Sequence, residues 1–479
     1  MEKKSIKKNY ILNLGYQILL LLTPLITTPY ISRTLGADGI GDVSYAESIV
    51  SYFTLFATMG ITTYGQREIS YVQNSVEKRS IVFWNTKILS FVTSMVALLA
   101  YLMLSLFQDN TLIYLVLSLN IINVFLDVTW FFQGLEEFGK IVLLNTLFKF
   151  INVIYVFLFI KTKSDVAMYA LGLALFTCLS NIFLWRYIPR YVEKIKKKDL
   201  HPFKNIKIVL SLFVPTIAIQ VYTVLDKTMI GLITQNPFEN GYYELALKIS
   251  KMVLTIVTAL GTVMIPRIGY HFENNENDEV LRLMYRGYRF VWFLGVPLCF
   301  GLVCVSSNFV PWFFGNGYEK VADLLKILAF LILAIGISNV TGMQYFIPTK
   351  RQNIFTLTVI IGAGVNFFLN IILIQLFQSS GAAIASVAAE YAIAISQLII
   401  VRKEISPLKV LKQGIHYFIA GGIMGTILLF AEYRLEATIW NTICMVVVGG
   451  VLYLAVLLIM RDEFLLSNLK LLRGKFRMK

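Results

Sequence analysis

Apolar residues run along this chain in long blocks, separated by short polar or basic connections. A helix needs roughly 20 predominantly apolar residues to cross a bilayer, where its backbone groups must be satisfied internally. Fourteen blocks meet that length, near 10–32, 41–62, 83–107, 112–133, 141–160, 166–187, 208–233, 243–265, 288–310, 324–347, 354–377, 381–401, 415–432 and 438–460. Nothing between them is long enough for a soluble domain. The pattern predicts an all-α integral membrane protein with 14 transmembrane helices.

Composition agrees with that reading. The 479 residues are 57% hydrophobic and 15% charged, against about 25% charged in a soluble domain. The first block follows the basic stretch MEKKSIKKNY and has no small-residue cleavage site after it, so a retained span is expected rather than a signal peptide. Cys178, Cys299, Cys304 and Cys444 all lie in apolar runs without a CxxC pair, which points to packing and not to disulfides or zinc. His201, His271 and His416 sit near predicted helix ends without ligand spacing. Neither catalytic residues nor a metal site are expected.

The net charge of +15 changes the picture only through its placement. With a cytoplasmic N-terminus, every even-numbered span ends in the cytoplasm. The basic segments RYVEKIKKKDLHPFKNIK, RKEISPLKVLKQ and RDEFLLSNLKLLRGKFRMK then share that side, opposite short connections such as FQDNT and FQSSG. This is the positive-inside asymmetry, with both termini cytoplasmic. The basic loops set orientation, so nucleic acid is not the expected partner.

An internal repeat divides the chain. Gly41–Glu68 aligns without gaps on Gly241–Ile268, with identities at Gly41/Gly241, Ala46/Ala246, Ile49/Ile249, Thr58/Thr258, Thr62/Thr262 and Arg67/Arg267. A polar stripe repeats with it. Glu244, Lys248, Lys251, Thr255, Thr258 and Thr262 recur at helical spacing, and their partners are Ser44, Ser48, Ser51, Leu55, Thr58 and Thr62. Farther on, Asp127-Val-Thr resembles Asn339-Val-Thr, and Asn152-Val-Ile resembles Asn370-Ile-Ile. Two pseudo-symmetric six-helix lobes follow, an N-lobe at 1–200 and a C-lobe at 201–412. Two C-terminal helices and a basic tail occupy 413–479. Because six is even the repeats run in parallel, as in many transporters.

Charges within the blocks carry the candidate chemistry. A charge at the centre of a membrane helix costs about 2.5–3.5 kcal/mol on insertion scales, so each needs a protein or water-filled surrounding. Asp226 and Lys227 stand side by side in SLFVPTIAIQVYTVLDKTMIGLI, where Thr216, Gln220, Thr223 and Lys227 share a face. Asn145, Lys149 and Asn152 make a similar face, as do Asn120, Asn123 and Asp127. Lys227, Lys248 and Lys251, with Lys149 and with Arg33 near one mouth, are expected to form a cationic cavity for an anion such as a phosphate or diphosphate. Asp226, Glu47, Asp127 and Glu390 are the acids placed to carry a coupling ion. The competing reading is structural: Asp226 with Lys227, or Glu244 with Lys248, would neutralise one another for insertion, and Lys149 would snorkel. Tyr45 and Tyr222 are candidates for sugar stacking. TLGADGIG lacks the ending of a phosphate loop and reads as a turn, while mid-span prolines such as Pro24 and Pro29 would supply bends.

The N-terminal stretch KNYILNLGYQILLLLTPLITTPYISRTLGADGIGDVSYAESI resembles the polysaccharide-transporter branch of the multidrug/oligosaccharidyl-lipid/polysaccharide (MOP) flippase superfamily. The likeness rests on Pro29, Arg33, Leu35, Gly36, Gly39 and Gly41, and on Gly241–Lys248 in the second repeat; it is nearest to the Wzx-type flippases of O-antigen and capsule repeat units. The resemblance implies a monomer of the bacterial plasma membrane. It would move an undecaprenyl-diphosphate-linked oligosaccharide from the cytoplasmic to the outer leaflet by alternating access, alongside polysaccharide polymerase and chain-length machinery. It implies no cofactor, and coupling to a proton or sodium gradient or to the membrane potential. A relative that relies on an arginine in the second span is not matched, since serines stand there. Two other functions compete. An ion-coupled multidrug exporter of the same superfamily would be expected to have twelve spans and acidic cavity residues. A membrane polymerase or glycosyltransferase would need an acidic catalytic pair or a sizeable outer loop.

Overall fold

The computed structural model describes residues 6–477, with side chains placed outside 6–14, 197, 214–215, 218–219, 221–222, 262 and 471–477. Its regular elements are helices, as expected where lipid offers the backbone no hydrogen-bond partner. In chain order they begin with α1 (Ile6–Thr58), α2 (Ile61–Tyr71), α3 (Val76–Ser105), α4 (Thr111–Leu117), α5 (Leu119–Leu126), α6 (Thr129–Gly134), α7 (Phe138–Phe159), α8 (Val166–Trp185) and α9 (Ile206–Thr234). They continue with α10 (Pro237–Thr258), α11 (Gly261–Glu273), α12 (Asn277–Phe314), α13 (Glu319–Leu328) and α14 (Leu331–Ser338). A π-helical segment (Asn339–Phe346) precedes α15 (Gln352–Phe377), α16 (Ser379–Ile400), α17 (Pro407–Arg434), α18 (Ile439–Ile459) and α19 (Glu463–Arg477).

Every expected block is largely helical, although those at 41–62, 112–133, 243–265 and 324–347 each cross a break between helices. The span count also differs from 14. Among the described residues, 11 helices are long and apolar enough to cross a membrane, or up to 12 if the bent pair α10–α11 is one span. The first two expected spans merge into the 53-residue α1, which carries Pro24 and Pro29 inside it. The glycine-rich segment read as a turn is only one non-helical residue, Gly36, at φ 78° and ψ 170°. Glycine reaches that backbone region without a Cβ penalty, so the chain redirects there and resumes helix at once. Cys444 is exposed on α18, unlike the three buried cysteines, so it is not a packing residue.

The helices group into two compact units, Met1–Gly231 with Asn236–Gly241, and Leu232–Gln235 with Tyr242–Lys479. Thus α9, expected to open the second repeat, is grouped with the first. Its own contacts lie there, with Thr228 bonded to Ser48 and Tyr52 of α1 and Val209 buried among Ile61, Tyr64 and Leu89, and side chains of α3 hold the connection between α8 and α9. Arg79 donates to the Tyr191 carbonyl through Nε and Nη2 at 2.9 and 2.8 Å, and to Gln73 O at 2.8 Å. Trp84 Nε1 donates to Glu193 O at 3.0 Å, and Asn85 Nδ2 to Asp199 O at 3.0 Å. At the far end Asn205 Nδ2 reaches the Tyr64 hydroxyl of α2 at 2.7 Å. A chain held at so many points is a strap, not a free tether.

Each unit has its own apolar core. In the first, Ile69, Phe83, Trp130, Phe131, Phe132 and Leu184 are buried together. In the second, Tyr288, Trp292, Val296, Tyr417 and Tyr453 form the centre. The C-terminal helices α17 and α18 belong to this second core. Trp292 Nε1 of α12 donates to Val410 O of α17 at 3.0 Å, and the Tyr453 hydroxyl of α18 donates to Phe293 O at 3.0 Å. A buried indole N–H or phenol needs such a partner, so these bonds fix register as well as proximity.

Candidate functional site

The α10 helix follows its sequence pattern closely. Leu245, Ala246, Ile249, Ser250 and Val257 are buried, and Ser250 donates to Leu328 O at 2.9 Å. The opposite face carries the expected stripe: Glu244, Lys248 and Thr258 half-buried, Lys251 and Thr255 exposed. Thr262 lies outside the described side chains. Lys248 Nζ stands 3.8 Å from Glu244 Oε1, an i,i+4 pair near the limit of ion pairing. Such helix-surface pairs contribute about 0.3–0.5 kcal/mol. Thr255 and Thr258 return their hydroxyls to Lys251 O at 2.9 Å and Leu254 O at 3.3 Å.

The repeat-related stripe on α1 is used differently. Ser44 and Ser48 are buried, not open. Ser48 Oγ receives the Thr228 hydroxyl of α9 at 3.0 Å, and Tyr52 shares that hydroxyl at 3.0 Å. One stripe of the repeat therefore serves packing and the other stays open. Tyr45 lies against Gly231, where a Cβ would fall 2.8 Å from the ring's Cγ. Tyr222 lies outside the described side chains.

Among the remaining candidates, Asp226 is 9% exposed on α9 and Lys227 beside it is half-buried. Arg33 is exposed on α1, three residues before the break at Gly36, while Glu47, Lys149 and Glu390 are half-buried on α1, α7 and α16. Within the first unit are Arg33, Lys149 and Lys227 of the cationic set, and within the second Lys248 and Lys251. The candidate acids divide likewise, with Glu47, Asp127 and Asp226 in the first unit and Glu390 in the second. Asp127 has a local task. It ends α5 in an extended conformation, φ −63° and ψ 118°, and its Oδ1 accepts from Thr129 N at 2.8 Å to start α6.

Sequence reasoning passed over Lys87. This lysine is 2% exposed on α3, with its Nζ donating to the carbonyls of Phe125 and Asp127, the latter at 3.1 Å. Its ammonium also lies 4.9 Å from the Phe125 ring and 5.3 Å from the Trp185 ring. A helix C-terminus leaves carbonyls without partners and favours a cation, so a buried lysine is stable here. Its signal is visible in hindsight. Arg79, Phe83, Lys87, Ser90, Ser94, Ala97 and Tyr101 recur at 4, 4, 3, 4, 3 and 4 residues, and all are buried. The spacing test that found the α10 stripe would have found this one.

Comparison with known proteins agrees with this architecture. A family model described as "Polysaccharide biosynthesis protein" matches residues 6–272, and one described as "Lipid II flippase MurJ" matches 240–450. A protein of Escherichia coli (strain K12) named for O-antigen transport is 23% identical over 407 residues, covering 84% of this chain and 98% of its own. The lipid II flippase MurJ of Bacillus subtilis (strain 168) is 22% identical, covering 95% of each chain. Among solved structures, the inward closed conformation of the lipid II flippase MurJ aligns with a TM-score of 0.73 at 15% identity, over 95% of this chain and 99% of that one. An inward-facing multidrug resistance MATE family transporter of the MOP superfamily aligns with a TM-score of 0.64 at 13% identity, over 82% of this chain and 95% of that one. These structural likenesses concern the fold. With more than half its length matched by the model, the chain belongs to the polysaccharide biosynthesis protein family.

Proposed function

We infer that this protein is a flippase for lipid-linked oligosaccharides and not an enzyme. Family membership and relatives named for O-antigen transport and lipid II flipping support the reading. The observation that carries it to a cargo is the open Lys248–Lys251 face of α10, opposite a fully packed one. A lysine about 4 Å from a phosphate charge gains roughly 1 kcal/mol in water and roughly 4 kcal/mol at an effective dielectric constant of 20. Two lysines one helical turn apart therefore hold a diphosphate best where water is partly excluded.

The cargo is an undecaprenyl-diphosphate-linked oligosaccharide repeat unit, moved from the cytoplasmic to the outer leaflet of a bacterial plasma membrane for cell-surface polysaccharide. Lys248 and Lys251 engage the diphosphate, with Lys227, Lys149 and Arg33 as further cationic contacts along its path. Asp226, Glu47 and Glu390 are the acids that couple a proton or sodium ion, with Asp127 the least suited because its carboxylate already accepts from Thr129 N. The chain works as a monomer in two six-helix repeats plus α17 and α18, with both termini cytoplasmic, and hands its product to a polymerase.

Flipping of a fluorescent undecaprenyl-diphosphate oligosaccharide in proteoliposomes tests this. Wild type is expected to flip, and a folded Lys248→Ala/Lys251→Ala variant to lose at least about tenfold of the rate, the equivalent of 1.4 kcal/mol. Equal rates would return the two lysines to a structural role. Wild type that exports small cations and leaves the lipid in place would assign the protein to the multidrug branch.

A further inference from the structure

The span formed by α4–α6 in the first unit and the span formed by α13, α14 and the π segment in the second are each interrupted. The interruptions fall at matching repeat positions. Asp127-Val128-Thr129 is where α5 ends and α6 begins, and Asn339-Val340-Thr341 is where α14 gives way to π-helix. An irregularity at one place in one helix could be an accident of packing. The same place in both repeats, in the related segments Asp127-Val128-Thr129 and Asn339-Val340-Thr341, indicates a shared mechanical role.

The two are stabilised by different means. At the first, side chains take the carbonyls that a broken helix leaves open. Ser90 donates to Val124 O at 3.4 Å, Lys87 to Phe125 O and Asp127 O, and Trp185 Nε1 to Leu126 O at 2.7 Å. Trp130 Nε1 adds a bond to Asp127 O at 3.1 Å. Lys87 is the only charged group among these donors and bonds to two of the carbonyls. At the second, the Tyr288 hydroxyl of α12 meets Thr341 Oγ1 at 2.7 Å, and Gln344 Nε2 donates to Asn339 Oδ1 at 3.1 Å. Gln344 Oε1 is buried there without a hydrogen-bond partner. Gly342 lies within the π segment against the Phe355 ring, where a Cβ would fall 2.8 Å from Cε2. A π-helical turn is a one-residue insertion with poorer hydrogen-bond geometry, and such turns are frequent at functional sites.

We propose that these interruptions are paired bending points used in translocation, and that Lys87 is the positioning residue that sets the first of them. Its ammonium holds the last carbonyls of α5, Phe125 O and Asp127 O, in one arrangement at the point where the chain turns into α6. The π segment does the equivalent work in the second unit through its extra residue. Each span then flexes at its middle.

Hydrogen-exchange mass spectrometry on the full chain in nanodiscs tests this, alongside the flipping assay. In wild type, amides of Leu126–Gln133 and Ile337–Ile347 are expected to exchange at least tenfold faster than the middles of α7 and α8. Lys87→Met is expected to raise exchange a further tenfold at the first segment only, and to lower flipping tenfold with the protein still folded. Deleting Gly342, which removes the extra π residue, is expected to slow exchange tenfold at the second segment and to abolish flipping. The deletion keeps the proposal testable if Lys87→Met fails to fold. Interruptions as protected as α7 and α8 in wild type, or a folded variant of either kind that flips at the wild-type rate, would overturn it. The exchange measurements need no substrate. A wild type that does not flip would count against the flippase reading, and exchange would still decide this one.

Discussion

Gly41 and Gly241, identical residues of the internal repeat, meet backbone to backbone. A Cβ on Gly41 would fall 2.9 Å from the amide nitrogen of Gly241 and would overlap the Pro237 carbonyl. The contact is reciprocal, since a Cβ on Gly241 would overlap the carbonyl of Ala37, the repeat counterpart of Pro237. Both residues are buried. Two helices therefore cross at the point where each lacks a side chain, as small residues allow in membrane packing. Gly41→Val is expected to cost more than the roughly 1–3 kcal/mol of ordinary overpacking, because carbonyls cannot repack as side chains do. Thermal unfolding of the detergent-solubilised protein checks this. A melting temperature within about 2 °C of wild type would show that the crossing is not rigid.

The Asp127 carboxylate accepts from Thr129 N, and an asparagine oxygen can make the same bond. Asp127→Asn should therefore keep stability and flipping within about twofold, while Asp127→Ala should lose about 0.5–2 kcal/mol, as a lost helix cap does. Flipping rates and melting curves of the two variants together separate a cap from an ion-coupling acid. A coupling role predicts that Asp127→Asn loses coupled transport while remaining stable.

Arg79 makes three bonds to the carbonyls of Tyr191 and Gln73. Lysine cannot reproduce that planar fork. Arg79→Lys is expected to leave carbonyls unsatisfied at about 1–3 kcal/mol and to loosen the strap between α8 and α9. Limited trypsin digestion should then cut at Lys194–Lys198 at least about fivefold faster, as expected for segments of low local stability. An unchanged cutting rate would mean that Trp84 and Asn85 hold the strap without it.

Thr228 ties α9 to α1 through Ser48 and Tyr52. Thr228→Val keeps the shape and removes the hydroxyl. Hydrogen bonds between membrane helices average about 0.6 kcal/mol, so a loss near 1 kcal/mol is expected from the pair. A double-mutant cycle with Tyr52→Phe measures the coupling. Full additivity would show that the Tyr52 and Thr228 hydroxyls do not act together.

Periodicity along the chain was enough to determine the helical membrane architecture. Apolar length decides whether a segment can cross a bilayer, and that property is local. The same reasoning identified the open face of α10, because a stripe at helical spacing is local as well. The repeat was legible too, down to the pairing of Gly41 with Gly241 and of Asp127-Val-Thr with Asn339-Val-Thr. What those pairs do was not legible. Whether a polar stripe stays exposed, as on α10, or packs on a neighbouring helix, as at Ser48, depends on which helix lies beside it. Whether a charge is open or buried is decided the same way. Lys87 sits in an apolar span, and only the broken end of α5 and the rings of Phe125 and Trp185 make its burial stable. The grouping of α9 with the first unit likewise rests on bonds between distant segments, from Thr228 to Ser48 and Tyr52 of α1, more than 170 residues away. Contacts between distant segments leave no period in the sequence, so the tertiary structure alone decided them.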